Sequence, residues 1–210
     1  MKKAVLYIHG KGGSASECEH YKPLFPNEDV SGLDYQTFTP KEAGEEIHSA
    51  VMKLKEEYGQ ISMIANSIGA FFSMNAGIDT MIEKAYFISP IVDMEKMITD
   101  MMVCDGVTEE ELEKRRVIHT SFGEDLLWDY LCYVREHPIR WTVPTEILYG
   151  SNDNLTSTET ITAFAKEHHA VLTIMENGEH WFHTKQQMDF LDDWIRSCEV
   201  NDTSRTSVRS

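Results

Sequence analysis

Apolar positions along this chain fall into short runs and longer helical stripes that alternate. Residues 4–8 (Ala-Val-Leu-Tyr-Ile) form a compact run rich in strand formers, closed by the glycine-rich segment Gly10-Lys11-Gly12-Gly13. Residues 14–24 read as a helix or irregular helical turn, and 29–35 as a weak strand. The clearest helix opens at Thr39-Pro40-Lys41-Glu42. There Thr39 can cap, Pro40 suits the first helical position, and Glu42 completes a capping box. Ala43, Ile47, Ala50, Val51, Leu54 and Tyr58 keep helical spacing until Gly59. A strand over 60–64, a helix over 68–81 and a strand over 83–89 follow. Residues 93–140 break the alternation and read as helical throughout. Met94, Met97, Ile98 and Met101 share one face, Thr108 with Glu111 caps a second helix, and Leu126, Leu127, Tyr130, Leu131 and Val134 line a third. Strand 145–149, helix 157–169 and strand 171–175 restore the pattern. A last helix over 184–198 turns Met188, Leu191, Trp194 and Ile195 inward behind a Thr184/Gln187 capping box. Residues 199–210 are a polar tail expected to fray.

Strands alternating with helices predict an α/β fold: a mostly parallel sheet covered on both faces by helices. Residues 1–198 read as one domain, consistent with a 210-residue chain that can bury a core without staples. The helical insert at 93–140 leaves the sheet at its C-terminal edge, where such folds bind ligands, and reads as a lid. A formal charge of −16 argues against nucleic acid or an anionic membrane surface as a partner, because phosphate would be repelled. The basic start, Met1-Lys2-Lys3, is followed by only five apolar residues, fewer than the ~7–15 of a signal peptide. No stretch approaches the ~20 apolar residues of a membrane span. The four cysteines, Cys18, Cys104, Cys132 and Cys198, have no metal or paired spacing and read as reduced thiols of a cytoplasmic protein.

Candidate chemistry centres on Ile64-Ala65-Asn66-Ser67-Ile68-Gly69-Ala70. A serine at a tight strand-to-helix turn is pushed out of the backbone, and the turn needs small residues two before and two after it. Here these are Ala65 and Gly69. That is the layout of a nucleophile elbow. Serine ionises far above pH 7, so Ser67 needs a base and a group to orient that base. His180 lies in the loop after the last predicted strand, and Asp153 in the loop after the preceding one, so both belong at the edge that carries Ser67. A transition-state oxyanion would find donors in the N–H of Ile68, at a helix start, and of Lys11, in the glycine-rich loop. Asp93, after the strand ending at Ser89, is the rival acid; Asp153 is preferred for its loop. His9 is expected to support its turn through the ring nitrogens, and the Lys11 side chain to be solvated. No cofactor or metal is required.

Four segments together resemble the α/β-hydrolase superfamily, in particular small bacterial serine hydrolases. Tyr7-Ile8-His9-Gly10-Lys11-Gly12-Gly13 is similar to its oxyanion loop and Ala65-Asn66-Ser67-Ile68-Gly69 to its elbow. Tyr149-Gly150-Ser151-Asn152-Asp153 is similar to its acid loop and Gly178-Glu179-His180-Trp181-Phe182 to its histidine loop. The resemblance spans nearly the whole chain. It implies an α/β-hydrolase fold with a helical lid and an ester, thioester or amide hydrolase working through an acyl-enzyme. A carboxylesterase for small or medium acyl groups is the expected activity. Two departures stand out: alanine begins the elbow, and the family's first two strands are missing, which implies a trimmed sheet.

Two other readings compete. Gly10-Lys11-Gly12-Gly13-Ser14-Ala15 after a strand, with Asp34 about 20 residues on, fits a dinucleotide fingerprint and would suggest an NAD(P)-binding oxidoreductase. That reading leaves Ser67, Asp153 and His180 unexplained. A non-catalytic member of the hydrolase fold, binding a ligand in the cleft, is the other; no triad member is replaced to favour it.

Overall fold

Continuous burial of a strand on both faces is what a central parallel strand requires, and the first strand has it: β1 (Lys3–Ile8) is buried at every position after Lys3. The structure, a computed structural model, describes residues 2–37 and 39–207, with side chains described to residue 200. After β1 come two 3₁₀ turns (Ala15–Glu17 and Lys22–Leu24) around the short α1 (Cys18–Tyr21). Next are β2 (Asp29–Leu33), α2 (Pro40–Lys55), β3 (Gln60–Asn66), α3 (Ile68–Met74) and β4 (Lys84–Ile88). A long excursion holds α4 (Met94–Asp105), α5 (Glu109–Arg115), β5 (Val117–His119), β6 (Asp125–Leu127) and α6 (Trp128–Glu136). The chain closes with β7 (Thr145–Gly150), α7 (Thr158–Glu167), β8 (Val171–Met175) and α8 (Lys185–Ser207).

Six strands form one sheet in the order β2-β1-β3-β4-β7-β8, and every adjacent pair is parallel. Successive side chains of a strand point to opposite faces, and two cores result. Leu6 and Ile8 join Met63, Ala65, Ala85, Phe87 and Ile147 on one face, beneath α2, α3 and α7. Val5 and Tyr7 join Ile64, Tyr86, Ile88 and Leu148 on the other, beneath α1 and α8. The chain leaves β1 toward β2 and then crosses back to β3 on its other side. The C-terminal ends of β1 and β3 therefore flank the point where strand order reverses, the crevice in which open α/β sheets bind ligands.

Four departures from the sequence reading have local causes. The insert is not helical throughout: β5 and β6 form an antiparallel hairpin, Val117 opposite Leu127. Val117 and Ile118 favour a strand, and Gly123, at φ 86, makes the turn. Ile118 and Leu126, 3% and 1% exposed, seat the hairpin in the core. Helix α3 stops at Met74 instead of 81, because Gly77 takes φ 64 and the apolar residues beyond it pack from a loop. The Thr39 capping box does not close on the backbone; its hydroxyl donates to the Glu42 carboxylate at 2.9 Å. Helix α8 continues beyond Cys198 to Ser207. By contrast the Thr184/Gln187 box is reciprocal, each backbone N–H reaching the other's side-chain oxygen at 3.3 Å.

Candidate active site

Ser67 joins β3 to α3 with φ 52 and ψ −121, a region a non-glycine residue occupies only under constraint. The constraint is visible. The Ser67 N–H donates to Ile88 O at 3.0 Å, and its carbonyl accepts from Ile91 N at 3.1 Å and Ala70 N at 3.2 Å. Helix and strand approach so closely that a Cβ on Gly69 would lie 2.4 Å from His9 O and 2.9 Å from Ile8 O. Ala65 is fully buried within β3, so its methyl is part of the core and takes no space from the turn.

The Ser67 Oγ lies 2.8 Å from His180 Nε2, and His180 Nδ1 lies 2.7 Å from Asp153 Oδ2. A carboxylate oxygen only accepts, so Nδ1 carries the proton and Nε2 presents its lone pair to the serine hydroxyl. The Asp153 side chain is fully buried and that of His180 nearly so. The other carboxylate oxygen accepts from Leu155 N at 2.8 Å and Thr156 N at 3.0 Å, so the buried charge is fully hydrogen-bonded. Acid and histidine loops interlock. A Cβ on Gly150 would meet the Gly178 carbonyl carbon and oxygen at 2.4 Å. Asn152 N–H donates to Gly178 O, and Asn177 N–H to Ser151 Oγ, both at 2.8 Å.

Asp93, the rival acid, is otherwise engaged. Its carboxylate caps α4, accepting from Lys96 N at 2.9 Å. Asp93 and Asp153 instead border a cavity of about 210 Å³ together with Lys96 and Thr156.

Beside Ser67, the β1 loop makes a turn closed by Gly13 N–H on Gly10 O at 3.1 Å, with Gly12 at φ 77. His9 braces it: Nδ1 donates to Gly10 O at 2.8 Å. Tyr35 in turn donates its hydroxyl to His9 O at 2.8 Å and stacks on the imidazole at 4.3 Å. Gly10 packs against Ser67; a Cβ there would sit 3.1 Å from the serine Cβ. Lys11 follows Gly10 in this loop, and Ile68 N–H is the first of α3, without an intrahelical acceptor. The Lys11 ammonium is not merely solvated; it pairs with Glu124 in the hairpin turn of the insert. The sequence alone does not point to Tyr35 or Glu124 in these roles. No local pattern marks either, since each acts on a loop far away in sequence.

The glycine loop leads into a 3₁₀ turn and the four-residue α1, not into a helix long enough to present its N-terminus to a pyrophosphate. Asp34 faces His9 Nε2 at 3.9 Å. Both features weigh against the dinucleotide reading. Among the described residues, no group of three or more His, Cys, Asp or Glu is arranged to hold a metal ion. Among them, too, no helix is long and apolar enough to cross a membrane.

A parallel sheet with a serine elbow at its switch point, and an aspartate and a histidine after its last two strands, β7 and β8, at the same rim, is the α/β-hydrolase fold, and the chain has that fold. Solved structures agree. Est1E from Butyrivibrio proteoclasticus is similar with a TM-score of 0.74 at 16% identity, over 97% of this chain and 88% of that one. Est1E with ferulic acid bound gives 0.76 at 16%, over 97% and 90%. Mouse alpha/beta hydrolase domain-containing protein 10 gives 0.67 at 14%, over 97% and 90%. No protein-family model and no curated protein sequence matches the chain.

Proposed function

We propose that this chain is a serine hydrolase, specifically a carboxylesterase that cleaves small or medium acyl esters through an acyl-enzyme. The observation that carries this reading is the unbroken contact from Ser67 Oγ through His180 to the buried Asp153, 2.8 Å and 2.7 Å. In the proposed mechanism Ser67 Oγ attacks the ester carbonyl while His180 Nε2 takes its proton. Asp153 keeps the imidazole in the required tautomer and stabilises the imidazolium that forms. The tetrahedral oxyanion accepts from Ile68 N–H and Lys11 N–H; each such donor is worth roughly 10²–10³ in rate. His180 then protonates the departing alcohol, and water, activated by the same base, releases the acid. Residues 93–140 act as the lid of a single domain spanning 1–198. The free cysteines support a reducing, cytoplasmic setting.

The similarity to a protein seen with ferulic acid, a carboxylic acid, supports an acyl substrate. The test is covalent labelling by a fluorophosphonate probe together with turnover of p-nitrophenyl esters of increasing acyl length. Ser67→Ala should lose both labelling and turnover with its melting temperature nearly unchanged. Equal turnover in that variant would eliminate the mechanism, and saturable NADH binding by the wild type would reopen the dinucleotide reading. A wild type that folds but neither labels nor turns over any ester would leave a binding protein.

A further inference from the structure

The loop that carries the Lys11 amide is the least constrained part of the site by composition. Three of the four residues 10–13 are glycine, so Lys11 has its only side chain beyond a hydrogen. The internal bonds, Gly13 N–H and His9 Nδ1 both on Gly10 O, hold the Gly10–Lys11 peptide from its carbonyl side and leave the rest of Lys11 to its side chain. Glycine-rich backbone visits many conformers, so a hold from outside the turn adds to the two bonds within it.

That outside hold is present. The Lys11 ammonium pairs with Glu124, 113 residues away, on the turn between β5 and β6. The turn is a stiff support. Thr120 N–H donates to Glu124 O at 2.8 Å, and Glu124 N–H to Thr120 Oγ1 at 3.0 Å. Its next residue is tied to the end of α4: Ser121 donates its N–H at 3.0 Å and its hydroxyl at 2.6 Å to Asp105 Oδ1. Those two bonds hold the Asp105 carboxyl below the usual carboxylate range. The flanking strands are anchored by Ile118 and Leu126 in the core. The insert therefore delivers one carboxylate, from a fixed support, to the single side chain by which the loop can be gripped.

We propose that Glu124 is a positioning residue for the oxyanion loop: by gripping the Lys11 ammonium it keeps the Lys11 amide turned toward the carbon that Ser67 attacks. The inference rests on the serine-hydrolase reading above. An exposed ion pair by itself contributes little, but here the group it orders is a hydrogen-bond donor whose loss is far more costly than the pair. Both chemical steps pass through an oxyanion, so both depend on the grip equally.

With p-nitrophenyl acetate, Glu124→Gln should lower kcat about two- to fivefold, the range open to an exposed pair, with KM unchanged. Rapid mixing should show acylation and deacylation slowed by the same factor. Affinity for a trifluoromethyl ketone, whose adduct places an oxyanion in the hole, should fall in parallel. Lys11→Met should cost the same factor and the double variant no more, since they remove one interaction. Wild-type kcat should approach the variant's at about 1 M salt, where screening reaches a few ångströms, while Glu124→Gln stays flat. Glu124→Gln with wild-type kcat at low salt, or additive losses in the double variant, overturns the proposal while leaving the hydrolase reading intact. A wild type that neither labels with fluorophosphonate nor hydrolyses esters overturns both.

Discussion

Gly69→Ala tests the close approach of α3 to β1, on which the placement of Ser67 depends. The added Cβ would lie 2.4 Å from His9 O, 2.9 Å from Ile8 O and 3.0 Å from Ile8 Cγ2. Carbon–oxygen contacts normally begin near ~3.3 Å, so the overlap is about 1 Å. Neither carbonyl can retreat freely: His9 O is held by the Tyr35 hydroxyl, and Ile8 is paired with Ala65 on one side and Leu33 on the other. The strain must be relieved by lifting α3 or displacing the glycine-rich loop after β1. Overpacking against fixed atoms costs roughly 1–3 kcal/mol, and the upper end applies where both contacts are backbone. At about 2–4 °C per kcal/mol for a domain of this size, the melting temperature should fall by roughly 6–12 °C. A 1 Å shift of Ser67 relative to His180 should lower kcat on the order of 10²-fold. Gly12→Ala is the control, since it meets no atom within 4 Å and suffers only from φ 77, about 1–2 kcal/mol. Calorimetry and p-nitrophenyl acetate turnover on the two variants measure the difference. If Gly69→Ala melts and turns over like the wild type, the helix does not press on the strand as described.

Asp153→Asn should reduce kcat by roughly 10²–10⁴ through loss of the imidazole's orientation and tautomer. Asp93→Asn should stay within about twofold, because asparagine caps a helix as well as aspartate; the opposite ranking in ester turnover would move the acid to the earlier loop. Gly150→Ala should destabilise the chain and lower kcat together, since its Cβ would push the histidine loop away from Ser67; a stable variant with full activity would contradict the interlock. Tyr130 carries a buried hydroxyl without a hydrogen-bond partner among the described residues, so Tyr130→Phe should raise stability by up to ~1 kcal/mol. A lower unfolding midpoint in urea would mean that the hydroxyl has a partner after all.

The residues of the candidate site are legible where a strand ends and a loop begins. Ser67, Asp153 and His180 each follow an apolar run whose end had to lie at one rim, because parallel strands share a direction. What remained hidden depended on distant partners. The hairpin at β5–β6 is brief, and the leucine and methionine stripes around it imitate a helix. Ile78 is fully buried, and its spacing extends the α3 stripe although it packs from a loop; periodicity registers burial, not backbone. Thr39 had the right cap chemistry, yet Glu42 offered its hydroxyl a carboxylate instead. The grip of Glu124 on Lys11 joins positions that no local window contains.

The contact between Gly150 and Gly178 has a consequence for how the chain can be altered. Between Asp153 and His180 lie 27 steps of sequence, among them α7 and β8, yet the excursion is cinched shut at its base before either end nears the serine. Asp153 and His180 thus travel as one preassembled piece. The outer surface of α7 can be trimmed, lengthened or fused to another protein, and the pair will still arrive at the same spot.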